Sequence, residues 1–104
     1  MRELTFSAAC AVLLIGCAST PSLTVAGAPV SGEVRALSAA DIEAAIAGMR
    51  SDLPQIRSQQ LTEIQVIDSN TVYLAYREAG ERLATRHVVQ RIRGHWHYTW
   101  EIVV

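Results

Sequence analysis

Lysine is missing from this 104-residue chain, and cysteine occurs only at positions 10 and 17. Every basic side chain is therefore an arginine, whose planar fork pairs with carboxylates or stacks on rings; the same bias also follows from a GC-rich genome. Neither sign of charge is in excess. A formal net charge of -1 leaves no surplus to draw nucleic acid or an anionic bilayer surface. There is no glycine-rich phosphate loop. The longest apolar run, Phe6 to Gly16, falls short of the about 20 residues that a helix needs to cross a hydrocarbon core. The length leaves room for one domain at most.

Catalytic groupings are missing as well. Ser58, Ser69 and Thr71 have no histidine and carboxylate at spacings that imply a triad, and Asp68 reads as a turn former. Asp52, Glu63, Asp68, Glu78, Glu81 and Glu101 are dispersed without a pattern for glycoside or two-metal hydrolysis. The expectation is a protein that is not an enzyme and carries no cofactor.

What is present begins with a targeting segment. Met1-Arg2-Glu3 precedes the apolar run, whose length suits the h-region of a signal peptide. It ends in Leu14-Ile15-Gly16-Cys17. These four residues resemble the lipobox of bacterial lipoproteins, in which small residues precede an invariant cysteine. The resemblance implies that Gly16 is the last residue removed, that Cys17 is the first retained, and that its sulfur carries a diacylglyceryl group. Ala18 in place of aspartate implies the outer membrane, facing the periplasm, with the inner membrane as the alternative. Cys10 then leaves with the signal segment and Cys17 is consumed by lipid. The mature domain would have no thiol, hence no disulfide, and core packing alone would hold it.

Residues 17–36 are rich in Ser, Thr, Pro, Gly, Ala and Val and poor in bulky apolar side chains. Such a stretch reads as a lipidated cysteine followed by a flexible tether. Leu23, Val25 and Val30 are the positions that would instead supply a short edge strand. Organised sequence is expected over 37–104. Ser38 and Asp41 make an approximate capping box, flanked by Leu37 and Ile42 at staple positions. Ile42, Ala45, Ile46, Met49 and Leu53 share one helical face, and Pro54 limits the helix to Ala39 through Asp52.

Four alternating segments follow, Leu61 to Ile67, Thr71 to Arg77, Arg82 to Ile92 and His95 to Val103. Read as an antiparallel meander, they place Ile64, Val66, Val72, Leu74, Tyr76, Leu83, Val89, Trp96, Tyr98, Trp100 and Ile102 on one face, with the helix across it. The fold class expected is α+β: one N-terminal amphipathic helix packed on a four-stranded antiparallel meander. Arg77 would lie opposite Arg82, a like-charge conflict that a longer turn or a bulge would relieve. Such a helix on a curved sheet resembles the cystatin-like and NTF2-like group of small α+β folds across roughly 37–104. That resemblance rests on element order, carries no motif and implies no function; the NTF2-like pattern needs more helices than the chain has room for.

The other face mixes Leu61, Ile67, Tyr73, Ala75, Val88 and Ile92 with polar side chains, among them Glu63, Gln65, Arg86 and Gln90. It reads either as an ordinary mixed surface or as an interaction surface, with Tyr73, Val88, Ile92, His95 and His97 as its candidate residues. His95 and His97 point the same way at a spacing that can ligate zinc or copper, but two imidazoles fall short of the three or four ligands a site needs, so no metal is expected. His87 is expected as a half-buried ring between Val72 and Trp100. Arg91 should face Trp96 across the ladder within cation–π reach. Two functions stay open: an envelope interaction or accessory protein that engages a protein partner or itself, and a small-ligand binding domain whose pocket is lined by Met49, Tyr76 and Trp100.

Overall fold

The computed structural model describes residues 23–103, with side chains as far as Trp100. The signal segment, Cys10 and the lipidation candidate Cys17 lie outside the described residues. Among the described residues two strands, β1 (Thr24–Val25) and β2 (Ala28–Gly32), come first. Helix α1 (Ala39–Asp52) and a 3-10 turn (Pro54–Ser58) follow, and then β3 (Gln60–Asp68), β4 (Thr71–Arg77), β5 (Thr85–Ile92) and β6 (His95–Val103). The strands form one six-stranded sheet in chain order.

This corrects the expected fold class. Among the described residues the sheet has six strands rather than four, it is mixed rather than antiparallel, and two strands precede the helix. The two additional strands come from the stretch whose composition reads as tether. Ala26 and Gly27 both adopt positive φ, 52° and 81°, the combination a two-residue hairpin turn needs. The hairpin buries Val25 and Ala28 in the main core and packs Val30 against it. β2 then runs parallel to β3, with Val30 opposite Ile64 and Gly32 opposite Val66. Parallel neighbours need a crossover of a dozen or more residues, and α1 supplies it. At Gly32, φ is +84° and a Cβ would run into the Val66 carbonyl, so a side chain is excluded there on two grounds.

The helix begins and ends where the sequence places it. Asp41 N–H donates to Ser38 Oγ at 3.1 Å, and Ser38 N–H donates to the Asp41 carboxylate at 3.2 Å, which closes the capping box. Ile42, Ala45, Ile46 and Met49 are buried against the sheet. Leu53 N–H closes on the Met49 carbonyl at 2.8 Å before Pro54 opens the 3-10 turn.

Register follows the expected pairing in the middle of the sheet and departs from it toward the strand ends. Val66 pairs with Val72, Ile64 with Leu74, and Val89 with Tyr98. After Arg77, however, the chain makes a longer excursion and rejoins at Thr85, opposite Tyr76. That separates Arg77 from Arg82 and leaves Leu83, an expected core residue, 69% exposed. Another departure is a bulge in β6. Val89 faces Tyr98 while Val88 faces Trp100, so Thr99 is the extra residue, its hydroxyl donating to the Val88 carbonyl at 3.0 Å. Trp100 is thereby turned off the core face and is 57% exposed. Leu61, expected on the second face, packs against the core, because a bulge between Leu61 and Glu63 reverses its side. Ile102 falls outside the described side chains.

Helix α1 lies over the β6 end of the sheet. Gly48 comes so close that a Cβ there would sit 2.9 Å from the Trp96 carbonyl carbon and Cβ. The Asp52 carboxylate accepts from Tyr98 N–H at 3.0 Å and lies 3.2 Å from His97 Nδ1. An acidic residue in the last turn opposes the helix dipole; here it occupies a backbone donor on the β6 edge, which blunts that edge against further pairing.

Candidate functional site

Among the described residues, α1 covers one face of the sheet and nothing covers the opposite face of β3 to β6. Cross-strand partners project to the same side of a sheet, so register defines what this face displays. One row runs Gln65, Tyr73, Val88, Trp100; a second runs Glu63, Ala75, Arg86; Gln90 and His97 begin a third. Val88 is 1% exposed and Ala75 6%, although neither belongs to the core cluster beneath the helix. Val88 stands between half-buried Tyr73 and exposed Trp100 in its row, and Ala75 between Glu63 and Arg86 in the next. A small apolar stripe thus lies in a polar surround, the composition of an interface centre and rim.

The five candidate residues do not all gather there. Tyr73 and Val88 are direct neighbours in the stripe. Ile92 and His95 pair with each other at the far end, beside the Arg93-Gly94 turn, and both are exposed. His97 is held by Asp52 at the sheet edge. The aromatic member that completes the stripe, Trp100, has no distinguishing sequence signal, because Trp96-Tyr98-Trp100 continues a core alternation and no glycine marks the bulge.

His87 is buried on the helix side, though not between Val72 and Trp100. Its ring stands edge-on to Tyr76 at 5.9 Å and to Tyr98 at 5.7 Å, because β5 is displaced by two residues along β4 and Trp100 has left that face. The expected contact of Arg91 with Trp96 is present, with the guanidinium carbon 5.1 Å from the ring centroid. Arg91 also bonds the Ser69 carbonyl and the Asn70 side chain and pairs with Asp41 at 3.5 Å, joining the β3–β4 turn to the start of α1. Among the described residues, no three His, Cys, Asp or Glu side chains are placed to share a metal ion, and no helix is long and apolar enough to cross a membrane.

A half-open cleft of about 440 Å³ lies between the 3-10 turn and the β4–β5 loop. Leu53, Ile56, Tyr76 and His87 form its apolar side, with Gln59, Glu78 and Glu81 among its polar residues. Of the three residues expected to line a pocket, Tyr76 does so. Met49 is sealed in the core and Trp100 is on the other face. The Tyr76 hydroxyl makes no hydrogen bond of good geometry, and burial pushes its pKa up, offset in part by the Arg50 guanidinium beside it. No family model matches the chain, and no curated protein or solved structure matches it either.

Proposed function

We propose that this chain is a bacterial lipoprotein, anchored through lipid on Cys17 to the outer membrane on its periplasmic side, whose domain is a non-catalytic interaction module. The lipobox at the end of the apolar run supports the anchor. The observation that carries the binding role is the Tyr73-Val88-Trp100 stripe on a sheet face that no helix among the described residues covers. A solvated face gains nothing by presenting an indole beside a phenol; a docking surface gains a large rigid contact area at low entropic cost.

The first described strand and the stripe lie at opposite edges of the sheet. Seven residues beyond Cys17, Thr24 opens β1 at one edge of the sheet, whereas Trp100 lies on β6 at the other. Those seven residues reach at most about 25 Å when fully extended.

Two measurements test this reading. The intact mass of membrane-extracted protein should correspond to a chain starting at Cys17 plus acyl groups, and Cys17→Ser should abolish both that mass and membrane retention. Unchanged processing and retention would overturn the anchor. Cross-linking in intact envelopes should then recover a specific protein through this face and lose it in Trp100→Ala; equal recovery from the variant would overturn the docking role.

The cleft beside Tyr76 favours a second reading, a small-ligand domain, with Glu78 and Glu81 selecting a cation. Titration of the full chain with simple organic amines, followed by NMR, should shift the Gln59 and Thr85 amides. Unmoved amides at millimolar amine would end it.

A further inference from the structure

We infer that the partner of the open sheet face is the same face of a second copy of this chain. The inference rests on the reading of that face as a docking surface and adds the partner to it. Charge placement carries the argument. Glu63, Ala75 and Arg86 stand in one row on β3, β4 and β5, so the two charges flank β4 at about 5 Å to either side. Neither charge has an ion-pair partner among the described residues.

Two such faces can meet about a two-fold axis lying between the sheets. If the axis runs along β4, it exchanges the two sides, and β3 of each copy lies over β5 of the other. Glu63 then meets the second copy's Arg86, and the pair is formed twice. An axis across the strands at the same row would set Glu63 on Glu63 and Arg86 on Arg86, so electrostatics selects the first. Along that axis Tyr73 packs at the centre against its counterpart, and Trp100 reaches the second copy's β2 at the register position of Ser31. One like-charge meeting results: Arg77, at the end of β4, approaches its own counterpart, although its bond to Gln60 at 3.2 Å draws it sideways.

The contact is small. Five strands and three rows give a footprint of about 500 Å² per copy, below the roughly 800 Å² of a standard interface. Association is therefore weak in solution and strengthened when both chains are confined to one membrane, which raises their effective concentration. Reconstituted full-length chain is the material in which to look for it.

The test is disulfide trapping of Glu63→Cys/Arg86→Cys in the full chain in phospholipid vesicles, with each single variant as control. Within one copy these positions are about 10 Å apart, two strands away, beyond the about 7 Å that a disulfide spans. A bond between them therefore joins two copies. The expected result is a covalent dimer whose peptides link 63 to 86, absent from the single variants. In the chain without added cysteines, Glu63→Arg or Arg86→Glu should lower the dimer fraction about tenfold, the double reversal should restore it, and Arg77→Gln should raise it. A folded double-cysteine chain that forms no 63–86 link, or a double reversal no better than either single one, would overturn the inference. A strictly monomeric chain that loses a different envelope protein on Trp100→Ala would overturn this pairing alone and leave the proposed function standing.

Discussion

Gly48 of α1 packs its backbone directly onto the backbone of Trp96 in β6, with no room for a Cβ between them. A helix normally gains about 1 kcal/mol when glycine is replaced by alanine. Here the methyl would press on a carbonyl group held in the sheet ladder, and overpacking of that kind costs about 1–3 kcal/mol. Gly48→Ala should therefore lower the melting temperature by several degrees despite its better helix propensity. A melting temperature that rises would mean that the helix does not lie this close to the last strand.

The start of the same helix makes acid stability depend on Asp41. The Ser38 backbone N–H and then the Ser38 hydroxyl hold its carboxyl below the ordinary carboxylate range; desolvation opposes them, and Arg91 adds the smallest lowering effect. A carboxylate whose pKa is lower in the folded state contributes stability above its unfolded value and loses that contribution as pH falls through the folded value. Chemical denaturation between neutral pH and pH 3 should show this loss, and Asp41→Asn should flatten it. Ser38→Ala should cost about 1 kcal/mol at neutral pH through the lost cap. An acid limb that is the same in Asp41→Asn would show that other carboxylates govern it.

How far the fold is legible in the sequence depends on whether the deciding signal is local. The bounds of α1 are legible because Ser38, Asp41 and Pro54 punctuate it within one stretch of chain. The pairs Ile64–Leu74, Val66–Val72 and Val89–Tyr98 are legible because a short turn and an alternating pattern fix register together. β1 and β2 are not: Val30 lies opposite Ile64, more than thirty residues away, through a parallel pairing that no hairpin signal announces, and Val25 and Ala28 are buried in the shared core that this pairing brings together. Ala-Gly is also a weak turn signature beside Asn-Gly. The displayed stripe is half legible. Tyr73 and Val88 follow from alternation, whereas Trp100 joins them only because Thr99 bulges, and the Glu63–Ala75–Arg86 row depends on a β4–β5 register that the longer loop decides.

Tyr76 links the cleft to alkaline stability. Its phenol is buried beside His87, and burial raises its pKa more than Arg50 lowers it. A group whose folded pKa is raised contributes full stability below its unfolded value, and that stability falls as pH climbs from there through the folded value. Stability should therefore decline above about pH 10, the ordinary tyrosine value, and Tyr76→Phe should remove much of the decline. A variant with an unaltered alkaline limb would place the phenol in contact with solvent.

The two tryptophans offer the sharpest check on the β6 bulge, because they lie four residues apart on one strand. A regular strand would put both on the core face. With Thr99 as the extra residue, Trp96 is 7% exposed under Arg91 and Trp100 is 57% exposed beside Val88. Trp96→Ala should cost about 3–5 kcal/mol, as large-to-small changes of buried aromatics do, whereas Trp100→Ala should stay within about 0.5 kcal/mol of the parent. Fluorescence separates them without relying on stability: in Trp100→Phe the remaining indole should resist iodide quenching, and in Trp96→Phe it should be quenched readily. Equal protection of both indoles would restore the regular strand, return Trp100 to the core and leave the outer face without its aromatic anchor.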